Sequence, residues 1–113
     1  PVQPPEFYAD RLCDRIERAE VLKESVHEIL TKARERSPNY YGSMSPVNVA
    51  ASAIYIASLK NQKPPIPQSE IGEVIGVDVD TVRDGYKRLA EALDIDVKHS
   101  GTQIISIKHR TSY

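Results

Sequence analysis

The side chains with the clearest chemical purpose lie between residues 68 and 88, where groups that can bind DNA recur. Arg83 carries a planar guanidinium, which can pair with O6 and N7 of guanine through two hydrogen bonds. Thr81 can contact a thymine methyl group or a phosphate. Lys87 and Arg88 are placed to bind phosphates, which orients a protein on DNA without specifying a sequence. This stretch therefore predicts contacts with double-stranded DNA.

The glycines around these residues predict the frame that positions them, a helix-turn-helix at about residues 67–93. Gly76 supplies the positive φ that ends the first helix and turns the chain sharply. Asp78 can cap the helix that follows, and Gly72 allows the two helices to cross closely. In such a motif the outward face of the second helix enters the major groove, mainly with its N-terminal half. The outward positions are Asp80, Thr81, Arg83, Asp84 and Lys87.

The same pattern also fits two helices that pack around a glycine turn in a fold without DNA contact. Asp80 and Asp84 would repel phosphates, and 15 Lys and Arg stand against 16 Asp and Glu, a formal net charge of −1. A protein held to DNA by charge alone would be far more basic. DNA binding must therefore come from a local cluster of side chains or depend on a partner protein.

Apolar spacing and proline signals predict three further helices ahead of this motif. The third begins at Ser45-Pro46, where Ser45 can cap free N–H groups and Pro46 suits the first helical position. Its residues 47–59 have no fully polar face. Such a helix is predicted to be central and wrapped by the others. The remaining helices are predicted from Glu6, at about residues 21–36, at about 68–75 and at about 79–93.

The ends of the chain differ from this helical unit. Residues 1–5 predict a linker, since they are rich in proline, and their abrupt start indicates a piece cut from a longer protein. The helical unit covers residues 6–93. Residues 94–113 form a C-terminal extension, either a short β-hairpin with Gly101 at its turn or a flexible tail.

The sequence contains no constellation of side chains that predicts catalysis, a metal site or a cofactor. Its three histidines, His27, His99 and His109, are scattered and lack the spacing of metal ligands. The single Cys13 cannot form an internal disulfide, so a reducing compartment is expected and Cys13 is predicted to be a small buried side chain. No apolar run approaches the ~20 residues that span a membrane. We expect an intracellular protein that is not an enzyme.

The central helix carries a family resemblance. Residues 45–58, SPVNVAASAIYIAS, closely resemble the central helix of the cyclin-like repeats in transcription factor IIB and its archaeal counterpart. Residues 68–77 and 81–87 continue the match in order and at the expected distances. Residues 7–13 look like the start of the second of the family's two repeats. The resemblance covers about residues 5–93.

The resemblance implies an all-α, five-helix cyclin-like fold in which helices four and five form the helix-turn-helix. It implies binding to promoter DNA next to the TATA box, together with TATA-binding protein, and recruitment of RNA polymerase by the full-length factor. Arg83 falls on the arginine that contacts bases in the family, Thr81 on a polar position of the same helix start, and Gln68 on the start of helix four near the DNA backbone. We expect a monomer, cytoplasmic in an archaeon and nuclear in a eukaryote.

Three positions depart from the family pattern. Asp80 stands where a valine usually packs against bases, Pro67 where a threonine cap is usual, and Ser69 where a lysine is common. These departures leave two alternatives: a protein-interaction module with little DNA binding of its own, or a related factor that serves another polymerase with altered DNA contacts. The candidate DNA-binding residues are Gln68, Ser69, Asp80, Thr81, Arg83, Asp84, Lys87 and Arg88.

Overall fold

The apolar helix in the middle of the chain organises the fold. In the computed structural model, which describes residues 3–39, 44–100 and 103–109, residues 49–58 of this helix are all buried. A helix that has no polar face needs neighbours on every side, and four other helices contact it. The five are α1 Pro5–Arg15, α2 Lys23–Arg36, the central α3 Pro46–Asn61, α4 Gln68–Ile75 and α5 Val79–Ala92.

This arrangement confirms the predicted all-α fold of five helices within the described ranges, with small differences at helix starts. A short 3₁₀ helix, Glu20–Leu22, occupies the predicted start of the second helix. α1 already begins at Pro5. Proline suits this position because the N–H group of a first helical residue makes no hydrogen bond within the helix, so its absence costs nothing. The predicted side-chain cap at Ser45 is wrong. The Ser45 hydroxyl makes no capping hydrogen bond, while its carbonyl accepts one from the Val49 N–H.

A close crossing fixes α5 on α3. A Cβ at Gly85 of α5 would lie 2.7 Å from the Oγ atom of Ser52, which is itself buried in α3 and donates a hydrogen bond to the Asn48 carbonyl at 2.8 Å. About one turn beyond Ser52 in α3, the ring of Tyr55 meets that of Tyr86, the residue after Gly85, edge to face with the centroids 4.8 Å apart. The absence of a side chain at Gly85 therefore sets how closely the two helices approach.

The C-terminal extension forms the hairpin rather than the flexible tail. Strand β1, Ile95–Ser100, pairs antiparallel with β2, Gln103–His109, and the register shifts between Lys98 and His99. Ile95 is buried against the core and joins the hairpin to the end of α5. The predicted turn residue Gly101 lies outside the described residues.

The side chain of Cys13 is buried among apolar neighbours, as predicted. Burial raises the pKa of its thiol to about 11, so the thiol stays protonated and unreactive at neutral pH. Across the described ranges no helix is long and apolar enough to cross a membrane. The same residues contain no cluster of three His, Cys, Asp or Glu side chains that could hold a metal ion.

We expect Gly85→Ala to destabilise the protein although alanine favours helices. The intrinsic preference of alanine over glycine in a helix is about 1 kcal/mol, but overpacking of a tight crossing costs roughly 1–3 kcal/mol. Ser52→Ala in the same chain should restore most of the loss, because it removes the atom that the new methyl group meets. Urea unfolding followed by circular dichroism measures both. A stable Gly85→Ala single variant would show that the crossing is not tight.

Candidate nucleic-acid interface

The turn between α4 and α5 has the geometry that the glycines predicted. Gly76 ends α4 in the left-handed region at φ 77° and ψ 33°, where a side chain would be strained. The Val77 N–H then donates to the Gly72 carbonyl at 2.9 Å. A Cβ at Gly72 would lie 2.7 Å from the backbone oxygen of Val77. The predicted role of Gly76 is confirmed. The tight approach at Gly72 is to the backbone of the turn, whereas a Cβ there would meet the Val82 side chain of α5 only at an ordinary contact distance of 3.4 Å.

Asp78 caps the start of α5, as predicted. Its Oδ1 atom accepts hydrogen bonds from the backbone N–H and the hydroxyl of Thr81, each at 2.8 Å. These two bonds lower the pKa of the Asp78 carboxyl, with the hydroxyl bond contributing most. The hydroxyl proton of Thr81 is thereby committed to the cap. Thr81 as a residue is exposed, and its role in binding DNA is still a prediction.

The face of α5 opposite its buried side presents the predicted residues to solvent. Val82, Tyr86 and Leu89 are buried against the core, as the sequence predicted. They fix the rotation of the helix about its own axis. The exposed positions are Asp80, Thr81, Arg83, Asp84, Lys87 and Arg88.

An ion pair on this face involves the residue predicted to read bases. The Nη2 atom of Arg83 lies 2.8 Å from Oδ1 of Asp80, and the two side chains are 45% and 76% exposed. Exposed pairs three residues apart on a helix stabilise it by only about 0.2–0.5 kcal/mol. The guanidinium can therefore leave Asp80 for a better acceptor at little cost.

An open cleft of about 640 Å³ runs between α5 and the proline-rich loop that precedes α4. The loop is anchored on the central helix, because the buried Ile66 donates its N–H to the Ser58 hydroxyl at 2.5 Å. Tyr55 and Tyr86 contribute their edge-to-face rings to the lining. The rest of the lining is Pro64, Pro65, Ile66, Pro67, Gln68, Ser69, Val79, Arg83 and Lys87.

The cleft divides the eight candidate residues into two groups. Gln68, Ser69, Arg83 and Lys87 line it. The other four are exposed on α5 outside it, namely Asp80, Thr81, Asp84 and Arg88.

Both tyrosines of the cleft are held neutral. Burial raises the pKa of Tyr55, against the opposing effect of a hydrogen bond with the Gln68 side chain. Burial also raises the pKa of Tyr86, and the nearby Arg83 opposes that shift. Gln68, predicted to lie near the DNA backbone, thus interacts with Tyr55, and both residues line the cleft.

The start of α4 has no side-chain cap. Pro67 occupies the capping position with extended backbone angles and no side-chain hydrogen bond. Its carbonyl instead accepts from the N–H groups of Glu70 at 3.1 Å and Ile71 at 3.3 Å. The exposed side chain of Ser69 stands on the first turn.

Sequence reasoning missed Val79, the first residue of α5. This residue is 39% exposed although it is apolar, and it lines the cleft with Arg83. The available signal was spacing, since residues four apart lie on the same face of a helix. The residue type gave the opposite indication, because an apolar side chain predicts the buried face of a helix.

The fold and this site define a class, an all-α domain that carries a helix-turn-helix motif. The sequence profile described as "Transcription factor TFIIB repeat" matches residues 1–92. The chain belongs to the transcription factor IIB repeat family. The family resemblance seen in the sequence is confirmed, while its assignment to the second repeat is still a prediction.

Three archaeal relatives illustrate the similarity. Transcription initiation factor IIB of Methanosarcina mazei is 41% identical over 91 residues, which cover 80% of this chain and 26% of that protein. The protein of the same name from Archaeoglobus fulgidus is 36% identical over 93 residues, 82% of this chain and 28% of the relative. That from Saccharolobus shibatae is 34% identical over 97 residues, 86% of this chain and 31% of the relative. The chain thus spans about a quarter to a third of these relatives.

The cap on α5 predicts a pH-dependent contribution to stability. The pKa of Asp78 is lowered in the folded chain, so its ionised form stabilises the fold above the ordinary aspartate pKa of about 3.9. This contribution is lost as pH falls through the lower, folded-state pKa. Asp78→Asn keeps a capping oxygen but does not titrate. The advantage of wild type over this variant should disappear in acid.

Thermal unfolding of wild type and Asp78→Asn between pH 2 and pH 7 measures that difference. Asp84→Asn is the matched control, because Asp84 lies on the same helix beyond the cap. A difference between wild type and Asp78→Asn that is constant over the whole pH range would contradict the role given to the ionised cap.

Proposed function

We propose that this chain is the second cyclin-like repeat of a general transcription initiation factor of the IIB type. It binds promoter DNA next to the TATA box through α4 and α5, together with TATA-binding protein, and helps to recruit RNA polymerase as part of the full-length factor. In this proposal the chain acts as a monomer inside the cell, and residues 94–113 are an extension of the repeat. The predicted linker ends before Pro5, where α1 begins, and the repeat runs to residue 93.

The observation that carries the proposal is the exposed Arg83 on a helix whose position is fixed. α5 is capped at Asp78, crosses α3 closely at Gly85, and buries Tyr86 beside Tyr55. An α-helix with its side chains is about 10–12 Å wide, which matches a major groove of about 12 Å. A rigid helix of this kind can present a guanidinium to base edges.

The charges of the same face support binding that needs a partner. Arg83, Lys87 and Arg88 are offset by Asp80 and Asp84 within two turns. Each phosphate neutralised by a basic side chain adds roughly one unit to the salt dependence of binding, so a face with few net charges gives weak affinity. TATA-binding protein would supply the remaining affinity by holding the chain at the promoter.

Arg83→Ala should weaken binding to promoter DNA about tenfold or more, since a bidentate arginine–guanine contact is worth roughly 1–3 kcal/mol. The measurement is a gel shift at low salt with a TATA-containing duplex, with and without TATA-binding protein. Arg15→Ala is the matched control, because it removes the same side chain from the exposed surface of α1. Absence of binding by wild type under both conditions would refute direct reading of bases.

Asp80→Asn should strengthen binding, because it removes a charge that repels phosphate and releases Arg83 from its ion pair. The two effects are separated by introducing Asp80→Asn into the Arg83→Ala chain. Only the loss of repulsion remains there, so the gain should be smaller than in wild type. Equal gains in both backgrounds, in the same gel shift, would show that Asp80 does not restrain Arg83. Asp84→Asn serves as control for charge alone.

The alternative function is a protein-interaction module with little DNA binding of its own. The pairing of Arg83 with Asp80 and the apolar lining of the cleft favour it. In that case Arg83→Ala would leave binding to DNA unchanged, while the chain would still associate with TATA-binding protein.

A further inference from the structure

Val79 is an exposed apolar side chain on the helix that is proposed to enter DNA. Among the described residues, the large apolar residues exposed to solvent are Phe7, Val21 and Val79. Phe7 is covered on one ring face by the guanidinium of Arg11, 4.4 Å from the ring centroid. Val21 lies on the 3₁₀ helix, away from the helix-turn-helix. Val79 alone of the three belongs to the motif.

The position of Val79 relative to Arg83 is fixed by the helix. The two residues are one turn apart on the same face and line the same cleft. Four residues of helix rise by about 6 Å, and successive base pairs are about 3.4 Å apart. Side chains at these positions therefore reach base pairs that are one or two steps apart.

The chemistry of valine matches one feature of the major groove. Thymine is distinguished there by its C5-methyl group, which apolar side chains contact. Val79 is the first residue of α5, and the N-terminal end of a recognition helix carries the residues that contact base edges. Val79 is 39% exposed and does not belong to the buried core cluster.

We propose that Val79 is a specificity-determining residue of this helix-turn-helix. Its methyl groups contact the C5-methyl of a thymine that lies one or two base pairs from the guanine read by Arg83. This inference rests on the proposed function and deepens it, since it adds a second base preference. It also accounts for an apolar side chain left in solvent at the end of the helix.

The first experiment identifies the bases that the chain selects. The 113-residue chain, with TATA-binding protein, is used to select duplexes from a pool in which a TATA box is flanked by random base pairs. Wild type should enrich a thymine and a guanine at neighbouring or next-neighbouring positions. Val79→Ala should lose the thymine preference and keep the guanine preference. Arg83→Ala should lose the guanine preference and keep the thymine preference. Val21→Ala is the matched control, because it removes the same atoms from an exposed site outside the motif.

The second experiment removes only the methyl group from DNA. Replacing the selected thymine by deoxyuridine should weaken binding of wild type about fourfold, which corresponds to about 0.8 kcal/mol for one buried methyl group. The Val79→Ala variant should be nearly insensitive to the replacement, whereas Val21→Ala should behave like wild type. Fluorescence anisotropy with labelled duplexes gives these ratios.

The outcomes separate this inference from the proposed function. Binding with a guanine preference but no thymine preference would overturn the role of Val79 and leave the proposed function standing. The same holds if Val79→Ala keeps the full sensitivity to deoxyuridine. Absence of binding to any duplex would overturn both. Selected binding in which the deoxyuridine effect vanishes only in Val79→Ala supports the inference.

Discussion

Burial of the central helix α3 on every side is the constraint on which the rest of the structure depends. Ten consecutive residues of this helix, 49–58, are removed from solvent, which is possible only if neighbouring helices cover the whole circumference. Small residues along α3 let those neighbours approach closely. At the crossing with α5 the approach is so close that Gly85 has no room for a side chain beside Ser52. The position of the candidate interface therefore follows from the packing of the core.

The packing of the core fixes the position of the helix-turn-helix, and two local features of the motif constrain it further. Gly76 takes the left-handed conformation that ends α4, and Asp78 holds the first turn of α5 through Thr81. The carboxylates on the exposed face weaken its attraction for phosphate, and one of them pairs with Arg83. Under the proposed function, a face built in this way favours selective contacts with bases over strong general attraction to DNA. That balance agrees with a domain that acts as one part of a larger assembly.

Membership in the transcription factor IIB repeat family gives this geometry a context. The relatives share about a third or more of the aligned residues, yet the aligned region is only 26–31% of their length. The predicted departures from the family pattern at Pro67, Ser69 and Asp80 all fall within the helix-turn-helix. Val79, next to Asp80, is the residue through which we infer an apolar contact with DNA.

Much of the fold was determined by the sequence alone, because its signals are local. Proline and glycine restrict the backbone wherever they occur, so the start of α3 at Pro46 and the turn at Gly76 were predictable, and apolar spacing identified the central helix. Tertiary structure decided what depends on contacts between distant residues. Three features arise where separate segments meet. They are the close contact of Gly85 with Ser52, the cleft between α5 and the proline-rich loop, and the exposure of Val79. A side chain's type predicts the face it usually occupies, but only the packed neighbours determine how much of it solvent reaches.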